Sequence, residues 1–194
     1  MERIGSVIRE TNETQIEIEL NIDGGTVSIS TGVGFFDHML NAFAHHGGFG
    51  LYVQTDGDLN VDCHHTVEDT GIALGQAFNR ALGDKSGIRR FGSAFIPMDE
   101  ALGFCTVDIS GRPYLVFDSA FPQERVGMFD TCMAEEFFRA FSENAGVTLH
   151  LKNEYGKNAH HMIEALFKAF AYAMRAAVEP NRTGQAVSTK GMLD

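Results

Sequence analysis

The sequence predicts a mixed α/β (α+β) chain built from two similar halves, each a small sheet covered by two helices. Three observations carry this expectation. Stretches of period-two alternation are interleaved with stretches of helical spacing. The order of those stretches in the first half recurs in the second. A His-His-x-x-Glu motif occurs twice, as His64-His65-Thr66-Val67-Glu68 and His160-His161-Met162-Ile163-Glu164, a shift of 96 residues (160 − 64).

The elements follow in order. Thr14-Gln15-Ile16-Glu17-Ile18-Glu19-Leu20 alternates polar and apolar residues, as a strand with one wet face does. Asp23-Gly24-Gly25 signals a turn, and Thr26 to Thr31 reads as the returning strand of a hairpin. Phe36, Met39, Leu40, Phe43 and Ala44 place a helix over Phe35 to His46, stopped by Gly47-Gly48. Leu51-Tyr52-Val53 opens another strand. Val67, Ile72, Ala73, Leu74, Ala77, Phe78 and Ala81 predict a long amphipathic helix from Thr66 to Leu82, and Gly83 to Gly87 breaks the chain near its midpoint. In the second half, Ala94 to Met98 and Cys105 to Ile109 read as strands, Ser110-Gly111-Arg112-Pro113 as a turn and Tyr114 to Phe117 as a further strand. Asp130 to Asn144 reads as a helix, Val147 to Leu151 as a strand and His161 to Val178 as the last helix. The division is therefore residues 1–86, residues 87–180 and a polar tail over 181–194, in one compact domain. The tail is expected to be mobile or docked on a neighbouring molecule.

The repeat holds residue by residue. The shift of 96 that maps His64 to His160 and Glu68 to Glu164 also maps Ala73 to Ala169 and Ala77 to Ala173. A shift of 98 maps Met39, Leu40, Phe43 and Gly48 to Phe137, Phe138, Phe141 and Gly146. Small residues can coincide by chance, but a repeated His-His-x-x-Glu in the same element order indicates a duplication.

Composition narrows the function. With 194 residues and 44% hydrophobic content the chain can bury a substantial core, and its length suits one domain or two small fused units. A net charge of −11 opposes nucleic-acid binding and favours a cation as partner. No apolar run is long enough to span a bilayer, and the N-terminal residues carry no apolar signal core, so no membrane association and a cytoplasmic location are expected. Cys63, Cys105 and Cys132 are widely spaced and odd in number, which predicts reduced thiols.

The two His-His-x-x-Glu copies are the chemistry-bearing residues. At a helix start, positions i, i+1 and i+4 place Glu68 below His64 and His65. Adjacent imidazoles diverge by ~100°, so one pair can serve two different ions. Imidazole with carboxylate suits Mn, Fe, Ni, Zn or Cu. A single pair would read as solvated surface histidines; two in equivalent positions favour metal binding. His38 is a further candidate, and its counterpart at a shift of 98 is Glu136. His45 and His46 read as an exposed helix end, and His150 as a surface-facing strand residue.

Arg89-Arg90-Phe91-Gly92, Ser110-Gly111-Arg112-Pro113 and Ser188-Thr189-Lys190-Gly191 carry basic residues in turns, weak signals singly but able together to form an anion pocket. Lys168 lies four residues after Glu164, as an ion-pair partner or a substrate contact. Asp99 and Glu100, at a strand end, suit either acid/base work or capping. On these residues alone, a dinuclear metal-dependent phosphate-ester hydrolase and a non-enzymatic metal-binding shell protein both stay open.

Taken together, the segments resemble the imidazoleglycerol-phosphate dehydratase family, lyases of histidine biosynthesis. The matching residues are Arg9-Glu10-Thr11 with Glu13-Thr14, Phe36-Asp37-His38-Met39-Leu40, the two His-His-x-x-Glu motifs, Arg90-Phe91-Gly92, Pro97 to Leu102, Asp108 to Tyr114, Glu136-Phe137-Phe138 and Ser188-Thr189-Lys190-Gly191. They run in order along almost the whole chain.

The resemblance implies a duplicated fold like the second domain of ribosomal protein S5. It also implies trimers that assemble into a homo-24-mer with active sites shared between subunits. It implies two Mn(2+) ions per site, or other divalent transition metals, held by His38, His64, His65, Glu68, Glu136, His160, His161 and Glu164. Glu136 is a departure, because family members often carry His there. The implied reaction is dehydration of D-erythro-imidazoleglycerol phosphate to imidazole acetol phosphate, with the substrate ring bound as imidazolate. Glu13 is the implied acid/base, with Glu164 and Glu68 as further catalytic candidates. Arg90, Arg112, Ser188 and Lys190 would hold phosphate, and Lys168 would contact the substrate.

Overall fold

The computed structural model describes residues 3–191 and residue 193. The first half contains β1 (Ile4–Glu10), β2 (Thr14–Asn21), β3 (Val27–Ser30), α1 (Gly34–Gly47), β4 (Gly50–Gly57) and α2 (His64–Leu82). The second contains β5 (Phe91–Met98), β6 (Ala101–Asp108), β7 (Tyr114–Asp118), a small hairpin of β8 (Arg125–Val126) and β9 (Phe129–Asp130), then α3 (Met133–Ala145), β10 (Thr148–Tyr155) and α4 (Ala159–Val178). The sheets have the orders β1-β2-β4-β3 and β5-β6-β10-β7, the same topology twice. The mixed α/β fold class and the replayed element order both stand.

Strand β2 forms as its alternation predicts, burying Thr14, Ile16, Ile18 and Leu20 and exposing Gln15, Glu17 and Glu19. Its pairing does not follow the expectation of a hairpin with β3. Strand β4 lies between them, antiparallel to β2 and parallel to β3. The chain does reverse after Asp23-Gly24-Gly25, but β3 passes over to the sheet edge. Strand β1 carries no apolar alternation because its fully buried positions are Gly5 and Val7. A Cβ at Gly5 would overlap the Ala77 carbonyl of α2, and one at Gly92 would overlap the Ala173 carbonyl of α4. Both glycines let a helix lie directly on its outer strand pair.

Helices α1 and α3 stop at Gly48 and Gly146, with φ of 71° and 67° in the left-handed region that favours glycine. The expected start of the third helix at Asp130 is corrected: Phe129 and Asp130 pair in the β8–β9 hairpin, which has no counterpart in the first half, and the helix begins at Met133. Packing then crosses the repeat, with α1 against α4 and α2 against α3. Phe43 stacks on Phe170 at 4.9 Å and Phe137 on Phe167 at 5.2 Å, and these rings belong to one continuous core. The four helices thus bring the starts of α1 and α4 to one place.

The tail folds back on its own chain, where Pro180 bridges Ile88, the Asn181 amide donates to the Gly87 carbonyl at 2.7 Å and Val187 reaches Arg90. No helix among the described residues is long and apolar enough to cross a membrane.

Candidate active site

An Asx-type turn precedes each histidine pair. Asp62 Oδ1 accepts from the His64 amide at 2.7 Å, and Asn158 Oδ1 from the His160 amide at 2.9 Å. These side chains occupy equivalent positions (158 − 62 = 96); Asn158 caps α4, which begins at Ala159, and Asp62 stands just before Cys63, the residue that precedes α2.

At the α4 start, Glu164 Oε2 lies 3.2 Å from His160 Nε2 and 3.6 Å from His38 Nε2 on α1. The three ligand atoms lie within 4.8 Å of one another, and among the described residues this is the one such group. Glu164 is buried, and its other oxygen receives Lys168 Nζ at 2.7 Å. Burial pushes its carboxyl up, but the Lys168 hydrogen bond and charge, with His38 and His160, outweigh that and hold it below the usual carboxylate range. Bond lengths of ~2.0–2.2 Å to a shared ion put two N/O ligands ~3.0–3.4 Å apart, close to the spacing seen here. Two imidazoles and an ionised carboxylate fit a divalent transition metal.

The pseudo-equivalent set at the α2 start is open. Glu68 reaches His64, with Oε2 3.6 Å from Nε2. His65 directs Nδ1 to Asp58 at 3.0 Å and Nε2 toward Glu13 at 3.7 Å. The Asp58 hydrogen bond raises its pKa above the ordinary histidine value. His161 likewise directs Nδ1 to Glu100 at 2.7 Å and lies 3.7 Å from Asp99. That bond raises the His161 pKa and takes the Glu100 carboxyl down to about 2. Glu136 turns to Arg139, 3.6 Å away. Among the described residues no ion pair or ring contact joins the α2 histidines to those of α4 within one chain.

The basic turn residues do converge. Arg90, Ser110, Arg112, Ser188 and Lys190 line an open pocket of about 450 Å³. Arg90 has a left-handed backbone (φ 73°) and is clamped by Asp108, with contacts of 2.6 and 2.9 Å, while its remaining nitrogen donates to the Val187 carbonyl at 2.6 Å. Lys168 lies elsewhere, in a basin of about 380 Å³ with His38, His45, His46 and Glu164. His46 is therefore not simply an exposed helix end: it is half-buried, and burial together with the Lys168 charge lowers its pKa. His150 is exposed, as expected.

Comparison with known proteins shows the family of the chain. The model for imidazoleglycerol-phosphate dehydratase matches residues 31–174, from the edge of β3 through both histidine pairs. The chain belongs to this family. Curated dehydratases from Symbiobacterium thermophilum and Acetivibrio thermocellus are 60% and 57% identical, aligned over 99% and 100% of this chain and 93% and 100% of their own. The crystal structure of the Staphylococcus aureus dehydratase superposes with a TM-score of 0.84 at 43% identity, covering 92% of this chain and 99% of that one. The Pyrococcus furiosus dehydratase, in complex with (S)-C348, gives 0.85 at 37% identity, covering 96% and 100%. As a member of a dehydratase family the chain is a hydro-lyase, and it carries a side-chain group able to hold a metal ion.

Sequence reasoning missed the dehydratase's supporting carboxylates. Asp58 and Asp62 carry no motif of their own. The match of Asp62 with Asn158 under the same shift of 96 was the available signal. Asp69, next to Glu68 in the segment that matches the family, is buried and receives Arg9 at 2.9 Å and Thr14 at 2.5 Å, tying down the turn that carries Glu13.

Proposed function

We propose that this chain removes water from D-erythro-imidazoleglycerol phosphate to give imidazole acetol phosphate in L-histidine biosynthesis. The observation that supports it most strongly is the gathering of His38, His160 and Glu164, from two helices of different halves, into a metal-sized group. The ligand set on this reading is His38, His64, His65, Glu68, Glu136, His160, His161 and Glu164. Divalent transition-metal ions, manganese foremost and two per site, would supply Lewis acidity at the substrate's imidazole and favour its deprotonated form.

This chain's own residues do the rest. The proton to be lost sits on carbon beside an imidazole rather than a carbonyl, so it is barely acidic and needs a carboxylate held close. On this reading Glu13, 3.7 Å from His65, takes or returns that proton, and Glu164 and Glu68 share acid/base work on the departing hydroxyl. Arg90, Arg112, Ser188 and Lys190 bind the phosphate and so orient the reacting end. Lys168 neutralises Glu164 and faces the same basin as His38.

The α2 histidines with Glu13 and the α4 group stand apart in one chain, which favours sites completed between subunits. We therefore read the protein as a homo-oligomer, trimers building a 24-subunit particle, located in the cytoplasm. We read residues 1–86 and 87–180 as the two half-repeats, with 181–194 as the tail. The test is turnover of imidazoleglycerol phosphate by manganese-loaded protein. A ketone product with no inorganic phosphate supports the reading; phosphate release selects a phosphate-ester hydrolase instead. His64→Ala combined with His160→Ala should abolish both turnover and assembly, and full activity in that double variant removes metal catalysis.

A further inference from the structure

The outer histidine of each pair meets its supporting carboxylate differently. Asp58 offers both oxygens to His65 Nδ1, at 3.1 and 3.0 Å. Glu100 divides its two oxygens. Oε2 meets His161 Nδ1 at 2.7 Å, while Oε1 accepts the backbone amides of Lys157 and Asn158 at 3.1 and 2.9 Å. The Glu100 carboxylate is therefore already held by two donors on the chain entering α4 before it meets the imidazole. An oxygen with no proton of its own can only accept at Nδ1. The neutral His161 ring then carries its proton on Nδ1 and leaves Nε2 as a lone pair.

We propose that Glu100 is a positioning residue for this hydro-lyase: it fixes His161 in the tautomer whose Nε2 can bind a metal ion, and it does so rigidly because its other oxygen is pinned by the Lys157 and Asn158 amides. The inference rests on the reading of His161 as a metal ligand. Asp58 does the same for His65 but without that pin. Carboxylate partners of this kind orient metal-binding imidazoles and tune their basicity, and their loss typically costs ~10–100-fold in metal affinity.

The pin gives a result that a merely structural role does not. In Glu100→Gln the side-chain oxygen stays with the two backbone amides, because turning it would set an NH2 group against two N–H donors. The Gln NH2 then faces His161 Nδ1 and donates to it, which moves the ring proton to Nε2, the atom the metal needs. In Glu100→Ala the ring has no such partner and can adopt either tautomer. Glu100→Gln should therefore bind metal more weakly than Glu100→Ala, although it preserves the backbone contacts better. Asp58→Asn should lose less than Glu100→Gln, because an unpinned amide can turn its oxygen to His65.

The measurement is manganese content and affinity of the full-length protein after chelator stripping and titration, alongside the thermal midpoint of the metal-free form. The expected result is a ~10–100-fold loss for Glu100→Gln, a smaller loss for Glu100→Ala, and the reverse order in metal-free thermal stability. Equal affinity in wild type and Glu100→Gln, or a greater affinity loss in Glu100→Ala, overturns the proposal. If Glu100→Gln does not fold, Glu100→Ala against Asp58→Ala decides it, since loss of affinity in neither refutes the positioning role. Wild-type protein that binds no manganese would instead sink the metal reading of the site itself.

Discussion

Lys168→Met removes the cation whose Nζ lies 2.7 Å from Glu164 Oε1, while a side chain of similar length keeps the stem packed. Both partners are largely shielded, with side-chain exposures of 18% and 8%. Breaking a buried ion pair by removing one partner costs ~3–5 kcal/mol. The lower end, about 3 kcal/mol, applies here because His38 and His160 still face the carboxylate. For a chain of this length each kcal/mol moves the midpoint by ~2–4 °C, so metal-free Lys168→Met should unfold about 6–12 °C below wild type. A cation seated at His38, His160 and Glu164 would replace the missing charge, so excess manganese should narrow the gap. Circular dichroism melts in EDTA and in manganese measure both quantities. Equal midpoints in EDTA would refute the energetic role of the pair. A gap that manganese leaves untouched would refute the trio as a cation site.

Three further outcomes follow from the same geometry. Gly92→Ala drives a Cβ into the Ala173 carbonyl, a backbone atom that cannot step aside, and should cost at least ~1–3 kcal/mol, read as a lowered melting midpoint. Arg90→Lys gives up the two-point clamp on Asp108, and loss of a charged hydrogen bond worth ~1.5–3 kcal/mol should raise KM for the phosphorylated substrate ~10–100-fold with a smaller change in kcat. Asp23 has its pKa lowered, first by its side-chain hydrogen bond with Arg3, so its contribution is present above the ordinary aspartate value and fades as pH falls through the depressed one. Asp23→Asn should thus be less stable than wild type at pH 6 and should converge with it near pH 2, which denaturant titrations at the two pH values can check.

Legibility followed the range of the interactions. Helices α1, α2 and α4 and strand β2 were readable because apolar periodicity within one segment reports which face is buried. Strand β1 was not, since a glycine lets α2 approach closely and replaces the apolar side chain that would have marked the inward face. The turn after Asn21 announced a chain reversal, but not that β4 would slip between β2 and β3. For the site, the sequence by itself determined the residue types of the candidate metal group, their repetition and their place at helix starts. That is so because the spacing along one helix fixes which side chains share a face. Only the tertiary structure decided that His38 joins His160 and Glu164, and that Asp58 and Glu100 hold the outer imidazoles. His38 meets His160 across 122 residues of sequence (160 − 38) and Glu100 meets His161 across 61 (161 − 100), where the burial of the shared aromatic core, not any local pattern, sets which helix ends meet.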